Sequence, residues 1–408
     1  MNGIDTPQPA FEPTGRQRNQ PTQDNPKVSE DIGAMQAGKR KIDRCILHIG
    51  TEKTGTSSIQ GFLAGNRRQL IRQGILYPEA AGLGGGSQWE FVACVQDAPW
   101  GTDIGRRLAI ADAGDQQRFR DELATQLEAE ISGAPAARTL LISSEHMHSR
   151  LPGIRQIAKL KSFLDMFAET FEIVLYLRRQ DRVSVSTYLH RIRMGQEHPA
   201  IFPRGHNGER LYYYDYERLF ESWAAVFGEA NIKLRLFSAD EWHGRDLITD
   251  FCEACGIDAA PLARTRPLNE SVTLAAAQFI GELSRQLPRS ENASDIVTHD
   301  GMVALISELF RDNPKPAGRQ DAEAFYALFE ESNERLRRRA LPDRQAPLFD
   351  ADFSAYPEQV EPLGAPDYSE AVAIAVAIWR HTQQHSWTGL PSRIRSRFVT
   401  ILRNCLQR

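Results

Sequence analysis

Apolar residues along this chain gather in two alternating styles, short solid runs and longer sets spaced three or four apart. Solid runs of strand length span Cys45 to Ile49, Thr139 to Ser143 and Phe171 to Leu177. A fourth, Asn231 to Phe237, alternates apolar with polar residues as a half-exposed strand does, and Gly74 to Pro78 reads as a short strand or turn. Between the runs the spacing is helical. Ile59, Phe62, Leu63 and Leu70 share one face of a helix expected to reach about Gln73, and Leu123, Leu127 and Ile131 share a face within 104 to 131. Further helices are expected near 154 to 169, through the YYYDYERLFESWAAVFG stretch, over Asp246 to Gly256, through most of 270 to 340 with a polar break around Asn313 to Gly318, and again from about 370. Strands that alternate with helices require right-handed crossovers, which predicts a mostly parallel sheet flanked by helices. Ligands of such sheets sit beyond the carboxyl ends of the strands. Here those ends carry polar clusters beginning at Lys53, Glu145 and Arg178.

The pattern also divides the chain. Residues 1–41 carry Pro7, Pro9, Pro13, Pro21 and Pro26 among Gln, Asn and Asp, with no sustained apolar period, so a disordered arm is expected there. One α/β domain is expected over 42–340 and a helical basic extension over 341–408. No acidic residue follows Glu370, while Arg393, Arg395, Arg397, Arg403 and Arg408 accumulate. Such a tail is either a docked terminal helix with a solvated face or a peripheral contact with acidic lipid or a polyanionic acceptor.

Composition narrows the classes. With 41% hydrophobic and 25% charged residues in 408, a packed core is affordable, and a net charge of −4 argues against nucleic acid as a partner. Five scattered cysteines suit buried thiols of a reducing compartment. Cys252 and Cys255 form a lone CxxC inside a helical pattern with no second pair nearby, which favours a buried helix face over a metal site. Neither an N-terminal apolar segment nor an apolar run near 18 residues is present, so a cytoplasmic location is expected.

The chemistry is concentrated in ILHIGTEKTGTSSIQ, residues 46–60. A buried strand meets a turn at Gly50 and then a helix start ringed by Lys53, Thr54, Gly55, Thr56, Ser57 and Ser58. The first turn of a helix offers unpaired N–H groups and the positive end of its dipole, so one ammonium and four hydroxyls there suit an anion with several oxygens, most simply a phosphate. A Walker A loop places its lysine after the second glycine, whereas Lys53 precedes Gly55 by two residues. The third strand ends in RRQDRVSVSTY: Arg178 leaves the strand and Ser186 follows eight residues on, which makes a second phosphate site from an arginine fork and a hydroxyl.

Lys-Thr-Gly-Thr behind a first buried strand, with Arg178 and Ser186 behind a later one, resembles the sulfotransferases that use 3′-phosphoadenosine 5′-phosphosulfate (PAPS) as donor. The likeness covers about residues 43–270 and is nearest to the bacterial branch acting on carbohydrates. It implies a three-layer, P-loop-like α/β fold. It further implies that Lys53 to Ser58 hold the 5′-phosphosulfate, that Arg178 and Ser186 hold the 3′-phosphate, and that Lys53 neutralises the bridging oxygen as 3′-phosphoadenosine 5′-phosphate (PAP) leaves. The base that activates the acceptor hydroxyl would lie just past the second strand, where Glu145 and His146 both stand, with Glu79 and Glu90 in reserve. No metal is required by that chemistry. The family's basic triplet near the 3′-phosphate is missing, with Arg264 or Arg266 as substitutes, and Tyr188, Trp89, Tyr212 and Phe237 are the aromatics available for adenine. The implied acceptor is a carbohydrate or glycolipid hydroxyl. Two rivals stay open: a nucleotide-dependent kinase on the same architecture, and a non-catalytic nucleotide-binding scaffold.

Overall fold

The structure, a computed structural model, describes residues 40–80, 87–196, 200–203, 212–264, 272–286, 293–310, 312, 314, 316–360 and 371–378. The expected N-terminal arm, Arg266 and the arginines of the basic tail lie outside them. Lys41–Arg408 form one unit by their contacts.

The strands are β1 (Ile42–His48), β2 (Ile75–Leu76), β3 (Thr139–Ser143), β4 (Ala168–Leu177) and β5 (Ile232–Leu236). They form one sheet in the order β2-β3-β1-β4-β5, with every pairing parallel. β1 lies in the middle, and from Cys45 onward its residues sort by face. Cys45, Leu47 and Ile49 enter one core with Leu140 and Ile142 of β3 and Ile173, Leu175 and Leu177 of β4, while Ile46 joins Leu141, Val174 and Tyr176 in the other. A strand buried on both faces is what an apolar run without alternation encodes.

Helices cover both faces. On the first lie α2 (Ala113–Gly133) through Leu123, Leu127 and Ile131, α4 (Ile154–Leu164) through Ile157, Leu160 and Phe163, α5 (Gln180–Arg193), and α6 (Tyr216–Phe227) through Phe220 and Trp223. On the second lie α1 (Thr56–Gly65) through Ile59, Phe62 and Leu63, and α7 (Leu247–Cys255) through Phe251, Cys252 and Cys255. The short α3 (His146–Arg150) follows β3. Later come α8 (Leu274–Gln286), α9 (Ala293–Leu309), α10 (Arg319–Ala327) and α11 (Glu330–Ala340). Cys252 and Cys255 are free, buried thiols on the inner face of α7. Among the described residues no helix is long and apolar enough to cross a membrane.

Two expected helices break. The one after the phosphate loop stops at Gly65 because the Asn66 side chain leaves the helical register, donating to Phe62 O at 2.8 Å and to Ala263 O at 3.0 Å; a second helix, Arg67–Arg72, then restarts. The stretch 104–131 divides into Asp103–Arg107 and α2, separated by Ala109 at φ 54° and by Asp112, whose carboxylate caps the N–H of Asp115 at 2.8 Å. A side chain that satisfies backbone groups locally competes with the helix.

Arg179, the first residue past Arg178, fastens later chain to the end of β4. Its side chain is 1% exposed, and its donors are all engaged: Asp181 accepts from Nε at 2.7 Å and Nη2 at 3.0 Å, while Nη1 reaches Asp350 Oδ1 at 2.7 Å and the carbonyls of Asp350 and Asp352 at 2.9 Å each. The guanidinium lies 4.1 Å from the Phe353 ring, and Tyr356 donates to Asp181 at 2.7 Å. Residues 341–360 contain no helix, yet Leu348, Phe349, Phe353 and Tyr356 belong to the first core, and helix resumes over 371–378. Removing one partner of a buried ion pair strands the other charge. Asp181→Ala, which leaves Arg179 only the half-exposed Asp350, should therefore cost about 3 kcal/mol in urea unfolding, and Arg179→Met combined with Asp181→Ala should cost less than the two single changes added together; additive losses would show that the pair is not coupled.

Candidate functional site

The loop between β1 and α1 is folded against the sheet and leaves its donors turned outward. Thr51 donates from both N and Oγ1 to Tyr176 O at 3.1 Å, and Thr54 Oγ1 donates to Thr51 O at 2.6 Å. Gly50 and Gly55 are required by space. A Cβ at Gly50 would stand 2.8 Å from His48 Nε2, and one at Gly55, where φ is +74°, would stand 2.4 Å from Leu247 Cδ2. Lys53 itself adopts φ +69°, uncommon for a residue with a side chain. The consequence is a run of N–H groups, from Lys53 to Ser57, that no described backbone carbonyl accepts from. Consecutive free N–H groups with alternating backbone hand form a concave anion cradle at the positive end of α1.

Arg178 ties β4 to this cradle. Its Nη1 donates to Lys53 O at 2.9 Å, its guanidinium lies 5.3 Å from the Phe237 ring, and its own carbonyl accepts from Tyr216 Oη at 2.6 Å. Burial lowers its pKa to about 10, with the nearby Arg182 adding to the effect. Ser186 follows on α5, half-buried and without a hydrogen-bond partner among the described residues. The end of β4 and the end of β1 thus open on one cleft.

Two carboxylates flank the lysine. Glu145, between β3 and α3, accepts from Gln60 Nε2 of α1 at 2.7 Å. Glu52, in the loop, accepts from Tyr213 Oη at 3.0 Å. Burial lowers the Lys53 ammonium below its ordinary range against the pull of Glu52 and Glu145, and Arg193 and Arg178 push it the same way as burial. The Glu52 carboxyl, which burial alone would raise, is carried below its ordinary value by the nearby Ser149 hydroxyl and by His148, Lys53 and His146. His146 is half-buried, with Nδ1 enclosed and unbonded. His148 is fully enclosed; its Nε2 lies 3.1 Å from Tyr213 O, and burial pushes its pKa down to about 4.

The remaining sequence candidates separate by position. Glu90 is buried just after Gln88, which bridges Pro78 to Ser143 at the end of β3, and its charge is felt at Tyr77 together with that of Glu145. Glu79 has a side chain 75% exposed and 3.8 Å from Arg67, away from that group. Tyr188 and Trp89 are core residues, whereas Phe237 and Tyr212 are half-buried, so the latter two have a face to offer a base. Arg264 is occupied by Asp246 and by Thr249 Oγ1. His48 is a packed core residue, with Nδ1 2.8 Å from Ser143 Oγ and its ring edge-on to Phe251.

Sequence patterning missed Glu52, Gln60, Tyr213, His190 and Arg193. One signal was available: Ser186, His190 and Arg193 stand at i, i+4 and i+7 of α5, which is a single face. His190, midway along that face, has its pKa pushed down to about 4, by burial first and then by the Lys53 and Arg193 cations.

No protein-family model matches this chain. An uncharacterised protein of Archaeoglobus fulgidus is 29% identical over 136 residues; that stretch is 33% of this chain and 35% of the archaeal protein, so the likeness spans about a third of either. Among solved structures, a sulfotransferase from Alicyclobacillus acidocaldarius matches over 66% of this chain and 96% of its own at 19% identity and a TM-score of 0.35. The sulfotransferase domain of the Synechococcus PCC 7002 olefin synthase matches over 71% and 96% at 13% identity and a TM-score of 0.31. Likenesses of that size carry neither fold nor activity across. The fold rests here on the chain's own geometry.

Burial of two neutral histidines has a measurable consequence. Burial pushes the pKa of His48 down to about 3 and that of His148 to about 4. Below the ordinary value near 6.5 the unfolded chain takes up protons that the folded chain refuses, so stability should fall on acidification by about 1.4 kcal/mol per pH unit for each ring. His48→Gln should flatten the fall in unfolding free energy between pH 6 and 4.5 by that amount, and parallel profiles for the two proteins would overturn the assignment.

Proposed function

We propose that this protein transfers a sulfuryl group from PAPS to a hydroxyl of a carbohydrate or glycolipid acceptor. The observation that carries the proposal is the hydrogen bond from Arg178 to Lys53 O, which joins the two phosphate motifs at the carboxyl ends of adjacent strands. A nucleotide with phosphate at both its 3′ and 5′ positions needs two anion sites a ribose apart. A lone phosphate loop would not account for an arginine held against it without a carboxylate of its own.

The residues present divide the work. Lys53 and the free N–H groups from Lys53 to Ser57, with the hydroxyls of Thr54, Thr56, Ser57 and Ser58, hold the 5′-phosphosulfate; Arg178 and Ser186 hold the 3′-phosphate. Phe237, with one face against Arg178, is the nearest aromatic for the adenine. In the transfer the acceptor oxygen forms its bond to sulfur as the bond from sulfur to the phosphate oxygen breaks. The acceptor proton passes to a base, and the electron pair stays on the departing phosphate. Lys53 stabilises the charge developing on that oxygen, and positioned charge of this kind carries most of the catalysis in such displacements. Glu145 is the base of choice, because Gln60 holds one of its oxygens and leaves the other to accept a proton beside Lys53. His146 is the alternative, half-buried on the same turn.

Calorimetric titration with PAP and with ADP, in the presence of a chelator, tests the donor. PAP should bind at least about tenfold tighter, a difference of some 1.4 kcal/mol, and Arg178→Ala should erase most of that margin with the circular dichroism unchanged. Equal binding, or ADP binding only with magnesium, would replace the proposal with a kinase. A separate assay follows release of PAP from PAPS in single turnovers. Glu145→Gln should slow it by about 10²–10⁴ with PAP affinity kept, and Lys53→Met should also depress it; full rates in both variants would overturn these two roles, and PAP binding with no release in the unmodified protein would leave a nucleotide-binding scaffold.

A further inference from the structure

Among the described residues Arg193 is a cation with no carboxylate partner, whereas the other half-buried arginines mostly have one. It closes α5, half-buried, and no carboxylate among the described residues forms an ion pair with it. Burial lowers its pKa, and nothing offsets the shift. Arg44, Arg235 and Arg337, buried to a similar degree, are each paired with a glutamate or an aspartate. Nor is Arg193 loosely held. Ser284 of α8 donates to its carbonyl at 3.0 Å, and Arg285 donates to Gly195 O at 3.2 Å, so the backbone beneath it is fixed. Burying a charge is unfavourable without a partner. A fixed backbone under an unpaired, desolvated guanidinium marks a place for an incoming anion.

Its position says which anion. Arg193 shares a face of α5 with Ser186 and His190, two turns or about 10 Å along the axis from Ser186. That is too far for the group Ser186 would bind. It is also on the Lys53 side, because Lys53 feels Arg193 more strongly than it feels Arg178. Lys53 stands where the sulfuryl group would change hands, so an anion on Arg193 belongs to the molecule that receives it. Tyr213 also reaches the Lys53 region, its hydroxyl donating to Glu52, which faces the lysine. Glu52 and Glu145 repel an anion that approaches elsewhere along the cleft.

We infer that Arg193, with His190 as a neutral donor one turn before it, binds a carboxylate, sulfate or phosphate already carried by the acceptor. The enzyme would then select acidic saccharides, or similar anionic alcohols, over neutral ones. This assignment rests on the sulfuryl-transfer proposal for the direction of the chemistry, while the anion site itself stands on α5 alone.

The test uses the full chain saturated with PAP and a matched pair of probes, p-nitrophenyl β-D-glucuronide and p-nitrophenyl β-D-glucoside, titrated by calorimetry. The glucuronide should bind at least about tenfold tighter. Arg193→Leu should bring the two within about twofold, Arg193→Lys should keep part of the preference, and PAP affinity should be unchanged in both. Equal binding of the two probes, or a preference that survives Arg193→Leu, overturns the inference. A loss of PAP affinity in Arg193→Leu as large as that in Arg178→Ala also overturns it, by moving Arg193 into the donor site. If the wild-type chain binds no PAP, the donor proposal fails separately, and the same titration without nucleotide decides the anion site: a preference lost in Arg193→Leu sustains it, and no preference ends it.

Discussion

Positive charge gathered beside only two carboxylates, Glu52 and Glu145, among the described residues is the constraint on which the cleft depends. Lys53, Arg178 and Arg193 are drawn out of water at the carboxyl edge of the sheet, and each has its pKa lowered by burial. Like charges held out of water repel. A chain can sustain such a cluster only if the surrounding fold is rigid enough to hold it. Here the rigidity comes from β1, paired on both sides and buried on both faces, and from loop hydrogen bonds that fix Thr51 and Thr54 to the strand ends.

Arg178 and Arg179 show how local the decision is between a cation that is used and one that is stored. They are neighbours in sequence, on opposite sides of the chain as it leaves β4. Arg179 turns into the core, where Asp181, Asp350 and two carbonyls saturate it. It anchors residues 350–356. Arg178 turns to the cleft, where the carbonyl of Lys53 is its one acceptor among the described residues. The stored arginine fixes the direction of the other. With the backbone at 179 locked by a bidentate pair, the side chain at 178 has little choice of side.

Much of this was legible in the amino-acid order, for reasons that differ by element. β1, β3 and β4 announced themselves as solid apolar runs because parallel strands are covered on both faces, and the cradle announced itself because glycine, lysine and hydroxyls were packed behind one of them. What stayed hidden depends on long-range pairing. Gln60 reads as an ordinary helix residue until β3 brings Glu145 to it, across 85 positions of chain. Arg179 and Asp350 lie 171 positions apart, and no periodicity links them. The breaks at Asn66 and Asp112 were missed because polar side chains there spend their hydrogen bonds on the backbone, and apolar spacing is silent about that.

The left-handed turn at Lys53 is where these strands of cause meet. A side chain at φ +69° costs on the order of 1 kcal/mol relative to the helical region. The carbonyl it exposes is the one Arg178 takes, and the N–H groups that follow are the ones left without acceptors. In a relaxed conformation Lys53 would turn its carbonyl elsewhere, Arg178 would lose its protein acceptor, and the run of donors would be interrupted. The strain is therefore the physical link between the two proposed anion sites. Because it is held by contacts from β4, and not by the loop alone, an anion that fills the cradle meets a geometry already formed and need spend none of its binding energy in making it.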